Sequence, residues 1–230
     1  MRTDTSLQEA RKVLSAVPYF ADLDAQSLET ITRSAIPHNY EPDELVILEG
    51  EPAVGLYVVK SGWLKVSKIA VDGREQILQF LGSGEVFNAV SVFSGAPNPA
   101  SVTALETTRL WMVGRDTMLK LLDSNPRLAR LVILDLAGRI THLISLVEDL
   151  SLRSVEARLA RLLLEQSTGD TVQRKKWATQ TKMASRLGTV PDVVSRTLRK
   201  LADLGLIQVD RQEIRILNRP ELEMIAGIER

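Results

Sequence analysis

The sequence predicts an α+β chain in three parts. A β-roll, jelly-roll-like and flanked by helices, is expected over residues 1–125, a long helix over 126–150, and a winged helix-turn-helix over 151–230. Three observations predict this. From Ile36 to Met112 short apolar runs alternate with turn residues, the pattern of short antiparallel strands. From Pro126 to Leu150 apolar residues recur with a heptad period. From Thr179 to Leu206 two short amphipathic helices meet at Leu187-Gly188-Thr189 and a period-two stretch follows, the layout of a helix-turn-helix with a wing.

Each element has a local cause. Ser6 to Val17 carries an amphipathic pattern that ends near Pro18. Asp24 is the expected cap of a second helix ending at Ala35. The strand segment then passes through Leu45-Val46-Ile47-Leu48, Leu56-Tyr57-Val58-Val59, Trp63-Leu64-Lys65-Val66, the Asp72-Gly73 turn and Gln76-Ile77-Leu78. Turn spacing gives about eight short strands. On the long helix Ile133, Ile140 and Val147 fall at heptad position a, and Ala129, Leu136, Leu143 and Leu150 at d. β-Branched residues at a with Leu at d favour a parallel two-stranded pairing, so these residues form an expected dimer seam. Val132, Ile144 and Leu146 flank it and are expected against the roll. Ser154 is the expected cap of a helix over Val155 to Gln166, which leaves Ser151-Leu152-Arg153 as the expected hinge.

In the helix-turn-helix, Met183, Ala184 and Leu187 give the first helix its apolar face. Val193, Val194, Thr197, Leu198, Leu201 and Leu204 give the second a longer one. Small Ala184 and Gly188 let the helices cross steeply. Pro191 suits the first helical turn and Gly205 ends the helix. The outer face carries Asp192, Ser195, Arg196, Arg199 and Lys200. A helical hairpin with a solvated face is the plain alternative. The period-two residues Ile207-Gln208-Val209 and Glu213-Ile214-Arg215-Ile216, joined by a polar turn, favour the winged unit, whose open face enters a DNA major groove.

Charge agrees with this division. The 230 residues hold 29 basic and 29 acidic side chains. Residues 151–230 have 15 Lys and Arg against 10 Asp and Glu, and residues 1–150 the reverse imbalance. That suits local contact with nucleic acid rather than general coating of it. The lack of cysteine excludes disulfides, thiol catalysis and cysteine-ligated metal. No apolar run is long enough to span a membrane and MRTDTSLQEA lacks a signal-peptide core. The expected location is cytoplasmic, with no membrane partner.

Further motifs are more specific. Glu49-Gly50-Glu51-Pro52, the run from Leu56 to Val66 and Leu81-Gly82-Ser83-Gly84-Glu85-Val86-Phe87 resemble the cyclic-nucleotide-binding β-roll. With the run from Gly188 to Ile207 behind it, the chain resembles the CRP/FNR family of bacterial transcription regulators over nearly its whole length. The resemblance implies a homodimeric regulator, not an enzyme, acting on a palindromic operator. It implies double-stranded DNA, a second copy of the chain and RNA polymerase as partners. In members of the FNR type, Glu, Ser and Arg read bases at positions matching Asp192, Ser195 and Arg196. Arg196 can donate to guanine O6 and N7, and Asp192 can accept from a cytosine amino group or brace Arg196. Asp in place of Glu shortens the reach by one methylene. Pro191 stands where the receptor-protein branch has a DNA-reading Arg, and Val190 where Ser or Thr usually caps the helix. Thr179, Thr181, Lys182, Arg199 and Lys200 suit phosphate contacts. Arg174-Lys175-Lys176 reads as an exposed turn, and Trp63, Trp111 and Trp177 as packing residues.

The effector pocket departs from the family pattern. Cyclic-nucleotide binders of this fold hold the ribose with a Gly-Glu pair and the phosphate with an Arg-Ser pair. Those positions fall here on Asn88 and Ala89, and on Asn98 and Pro99. Positions that offer hydroxyls to the base match Leu143 and Ile144. A buried phosphate without a cation costs on the order of several kcal/mol, which argues against cyclic AMP. Other occupants stay open. Ala96-Pro97-Asn98 resembles the nitric-oxide-responsive branch, which implies haem or a small apolar effector. The pocket's own side chains are a second filling, giving a regulator set by expression level. An effector of another class is a third. Haem needs an axial ligand from His38 or His142, and an ordinary surface or core role is the simpler reading of each. Two histidines so far apart also argue against a metal-dependent roll enzyme, so no metal is expected. Glu41, Asp43, Glu44, Glu49 and Glu51 read as turn solvation. A nucleotide-responsive module without DNA binding is the remaining class, and the wing and Ser195-Arg196 argue against it.

Overall fold

Apolar alternation after Ala35 folds as two packed antiparallel sheets. In the computed structural model, which describes residues 4–173 and 179–228, helices α1 (Asp4–Ser15) and α2 (Ala25–Ser34) precede them. Asp24 caps α2, its carboxylate accepting from Ser27 N at 2.9 Å. The strands are β1 (Ile36–Tyr40), β2 (Leu45–Ile47), β3 (Gly55–Ser61), β4 (Leu64–Ile69), β5 (Glu75–Leu81), β6 (Val86–Phe87), β7 (Ser101–Ala104) and β8 (Thr108–Gly114). One sheet has the order β1-β8-β3-β6, the other β2-β7-β4-β5. Period two decides the faces. Tyr57, Val59, Leu81, Phe87, Val102 and Leu110 fill the roll. Leu56, Val58, Trp111 and Val113 point outward into a second core completed by Leu14, Phe20, Ile31, Met118 and Leu128. Gly62 closes the β3–β4 turn at φ +96°, and an added Cβ there would lie 2.4 Å from Thr108 Oγ1, so only glycine fits.

Two short helices join the roll that the apolar pattern did not predict: α3 (Ala89–Ser94), between β6 and β7, and α4 (Arg115–Ser124), after β8. The long helix α5 runs from Pro126 to Leu152. Ser151 and Leu152 are therefore helical, and the expected hinge shrinks to Arg153 and Ser154. The last turn stays wound because Arg153 N still donates to Asp149 O and the Arg153 guanidinium pairs with Glu148 and Asp149, each at 2.9 Å. Of the heptad residues, Ile133, Ile140, Leu143 and Val147 are exposed and Leu136 is half-buried. Leu128 and Val132 are buried and Leu136 packs beside them on the outer core. Ile144 is 64% exposed. The large apolar side chains that α5 leaves exposed are Ile133, Leu134, Ile140, Leu143, Ile144, Val147 and Leu152. A roll-facing row at i, i+4, i+8 pulls Leu136 inward and leaves the opposite row outside.

After Ser154 come α6 (Val155–Gln166), β9 (Thr171–Gln173), α7 (Gln180–Leu187), α8 (Pro191–Asp203), β10 (Ile207–Val209), β11 (Glu213–Ile216) and α9 (Arg219–Ile225). Ser154 caps α6, accepting from Ala157 N at 3.1 Å. The sheet order is β10-β11-β9, so the wing has a third strand. Leu159, Leu163, Ala184, Val194, Leu198, Leu201, Ile214 and Leu222 form the core. Leu204, read from sequence as part of that face, is 58% exposed because α8 has ended. Arg174, Lys175, Lys176 and Trp177 lie outside the described residues. By contact the chain divides into Met1–Lys68 with Leu78–His142, and Ile69–Ile77 with Leu143–Arg230.

Candidate nucleic-acid interface and effector pocket

Thr179 begins the interface. Its hydroxyl caps α7, accepting from Lys182 N at 3.3 Å. Gly188 then turns the chain at φ +63°. A Cβ there would meet Leu150 Cδ2 at 2.7 Å. Val194, Leu198 and Leu201 bury one side of α8, and its other side faces solvent.

That open side carries the three residues expected to read bases. Arg196 Nη2 lies 3.1 Å from Asp192 Oδ2, with the side chains 69% and 77% exposed. So exposed a pair contributes little to stability and keeps both groups one rotamer change from a partner. Ser195 is half-buried and its hydroxyl donates to Gln180 Oε1 at 3.0 Å. Gln180 was not singled out in the sequence; its position directly after a capping Thr was the available signal. The phosphate candidates divide. Thr179 and Thr181 are exposed at the N-terminal turn of α7, where partial positive charge favours an anion. Lys182 is half-buried beside them. Lys200 is not free: its ammonium lies 2.5 Å from Glu156 Oε2 on α6. Arg199 is exposed, and among the described residues no ion pair holds it. Arg211 is exposed at the wing turn, where Asp210 N donates to Glu213 O at 2.9 Å.

In the roll, Asn88 takes a left-handed backbone at φ 71° before α3, and its amide donates to Gly55 O at 3.0 Å. Ala89 is buried and offers no carboxylate. Asn98 is 5% exposed. Its Nδ2 donates to Leu48 O at 3.4 Å and its Oδ1 is buried with no partner among the described residues. Turning that amide over would set two carbonyl oxygens together, so the donor side is fixed on Leu48. Asn98 thus offers an uncharged acceptor and no cation. Leu143 and Ile144 lie on the far part of α5, 47% and 64% exposed.

The two histidines lie apart, His38 on β1 and His142 on α5. His142 Nε2 faces Leu78 O at 3.4 Å on the helix surface. His38 stacks on Tyr40 and meets Tyr57 edge-on, on the sheet opposite β2 and β7. Among the described residues no group of three or more His, Asp or Glu can hold a metal ion, and no helix is long and apolar enough to cross a membrane.

Comparison with known proteins bears on both units. Residues 37–125 match the family model of the cyclic nucleotide-binding domain, and residues 157–225 that of the Crp-like helix-turn-helix domain. The chain is 25% identical over 211 residues to the CRP-like cAMP-activated global transcriptional regulator of Mycobacterium tuberculosis, covering 89% of this chain and 94% of that one. It is 28% identical to the probable transcriptional regulator flp of Lacticaseibacillus casei, covering 94% and 99%. The structure of FixK2 from Bradyrhizobium japonicum matches with a TM-score of 0.74 at 26% identity, over 83% of this chain and 96% of that one. These relatives are regulators of transcription, not enzymes. With a nucleotide-binding-type roll and a Crp-like helix-turn-helix in that order, the chain belongs to the CRP/FNR family of transcription regulators.

Proposed function

We propose that the protein regulates transcription in the cytoplasm as a homodimer on a palindromic operator, without cyclic AMP. The observation that carries the reading is the open face of α8, where Asp192, Ser195 and Arg196 stand together above a buried apolar side. A two-fold dimer seats two such helices in successive major grooves about 34 Å apart, so its operator repeats inverted at that spacing. The apolar stripe of α5 supports the pairing, because Ile133, Ile140 and Val147 are each at least 60% exposed. RNA polymerase is the protein partner expected of such a regulator.

Asn98 supports independence from cyclic AMP. A buried carbonyl with no partner among the described residues repels the phosphate that an arginine would attract. The regulator then answers to a non-anionic effector in the roll or to its own concentration. Selection of duplexes from a random pool by the purified protein tests both claims. The expected result is an enriched inverted repeat whose affinity at fixed salt is unchanged by added cyclic AMP. Enrichment only with the nucleotide would overturn the second claim. An enriched sequence without two-fold symmetry would overturn the first.

A further inference from the structure

Most hydroxyls inside a helix place their proton on the carbonyl one turn back. Thr197 does so, donating to Val193 O at 2.8 Å. Ser195 does not. Its hydroxyl reaches across to another helix and donates to Gln180 Oε1 at 3.0 Å. Gln180 is the first residue of α7, next to the capping Thr179. The N-terminal end of α7 therefore meets the middle of the open face of α8. A serine has one proton and two acceptor lone pairs. Once its proton is given to Gln180, Ser195 can only accept from the groove.

We propose that Gln180 is a positioning residue for sequence recognition, fixing Ser195 as an acceptor. At the base pair that Ser195 faces, the protein then prefers an exocyclic amino group, adenine N6 or cytosine N4, to a keto oxygen, thymine O4 or guanine O6. Both kinds of group occur in every base pair, so the preference is for one strand orientation: A·T over T·A and C·G over G·C. The inference rests on the base-reading role proposed above for Ser195. The same bond turns the Gln180 NH2 away from Ser195, where it can donate to a neighbouring phosphate. Ser195 polarity and backbone register are then set by one amide.

The test is selection of duplexes by the full-length protein and four variants, scored as the four-base preference at each operator position. The wild type is expected to favour the amino-bearing base at one half-site position by ~2- to 10-fold, one neutral hydrogen bond's worth. Ser195→Ala is expected to lose that preference at that position alone. Gln180→Ala, which frees the hydroxyl rotor, is expected to weaken it at the same position. Gln180→Glu keeps the acceptor, so the base preference survives although a second carboxylate near phosphate lowers overall affinity. Gln180→Lys has donors only, so the serine proton turns to the groove and the preference inverts toward thymine or guanine. If Gln180→Ala and Gln180→Lys leave intact a preference that Ser195→Ala abolishes, the role of Gln180 is overturned and that of Ser195 stands. If Ser195→Ala changes no position, or the wild type enriches no sequence, base reading by Ser195 fails and this inference fails with it.

Discussion

At the scale of single residues, Arg196 and Asp192 show how an exposed pair can matter for recognition and not for folding. Their contact, at 3.1 Å between side chains mostly in solvent, is worth about 0–1 kcal/mol to the folded state. A guanidinium donating twice to guanine is worth about 1–3 kcal/mol of discrimination. Arg196→Ala is therefore expected to leave thermal unfolding unchanged and to lower the specific-to-random binding ratio by about that amount. Competition binding at fixed salt measures it, and an unchanged ratio would remove Arg196 from the base readers. Inside the roll the balance is reversed. Burial, with the Tyr40 hydroxyl as a smaller cause, pushes the Tyr57 hydroxyl up to about 12. An unfolded tyrosine ionises near about 10. The group therefore supports the fold fully below about pH 10, and its contribution is lost as pH rises from there toward about 12. Urea midpoints at pH 9 and pH 11 are expected to fall further for the wild type than for Tyr57→Phe. Equal falls would show that this hydroxyl does not titrate with unfolding.

At the scale of elements, α8 starts without a side-chain cap. Val190 holds the cap position with an extended backbone, φ −109° and ψ 154°, that a serine also adopts. Val190→Ser is expected to raise stability by ~1 kcal/mol, read as a higher unfolding midpoint, since a hydroxyl there can accept a first-turn N–H. A lowered midpoint would mean that the valine packs usefully despite being 53% exposed. The same elements explain what the sequence made legible. α6 and α8 have periodic apolar faces and recognisable punctuation: Ser154 before one, Pro191 and Gly205 around the other. The roll was readable as about eight strands because Gly62, Gly73 and their neighbours mark its turns. α3 was not, being six residues long after a left-handed Asn88 that makes no side-chain cap bond. α4 has Gly114 at its cap position and no side-chain cap bond either. β9 is three residues whose strand character comes from pairing, Val172 opposite Ile214. α9 did have a local signal, since Asn218 accepts from Glu221 N at 3.2 Å and Pro220 follows at the helix start. In the candidate site, residue types placed Asp192, Ser195 and Arg196 on one face. They could not show that Lys200 pairs with Glu156 or that Ser195 binds Gln180, because those partners are 44 and 15 residues away.

At the scale of the whole molecule, the heptad of α5 and the exposure of its side chains differ at Leu136 and Ile144, and the difference can be tested. Read as sequence, Leu136 belongs to the pairing surface and Ile144 to the roll. In the fold, Leu136 packs on the outer core beside Val132 and Ile144 is 64% exposed. A network holds this part of α5 in place. Tyr19 donates to Asp135 at 2.5 Å, and Arg139 pairs with the same carboxylate at 2.6 Å while donating to Val86 O at 2.7 Å. Asp135 and Arg139 thus bind the roll side of the helix, one turn apart. The exposed residues Ile133, Ile140, Leu143, Ile144 and Val147 form the face that the proposed dimer would use. A symmetric pair would then meet through the same face on each helix. The proposed dimer predicts opposite outcomes for two substitutions. Ile144→Glu places a charge in the seam and is expected to give a folded monomer that has lost most operator affinity, because one recognition helix alone spans only a half-site. Leu136→Ala is expected to keep the dimer and to lower the stability of the roll by ~1–2 kcal/mol, less than a fully buried leucine costs because Leu136 is half-buried. Sedimentation velocity and urea unfolding separate the two effects. A dimeric Ile144→Glu protein with an unstable roll, beside a stable monomeric Leu136→Ala protein, would restore the heptad seam and place Ile144 against the roll.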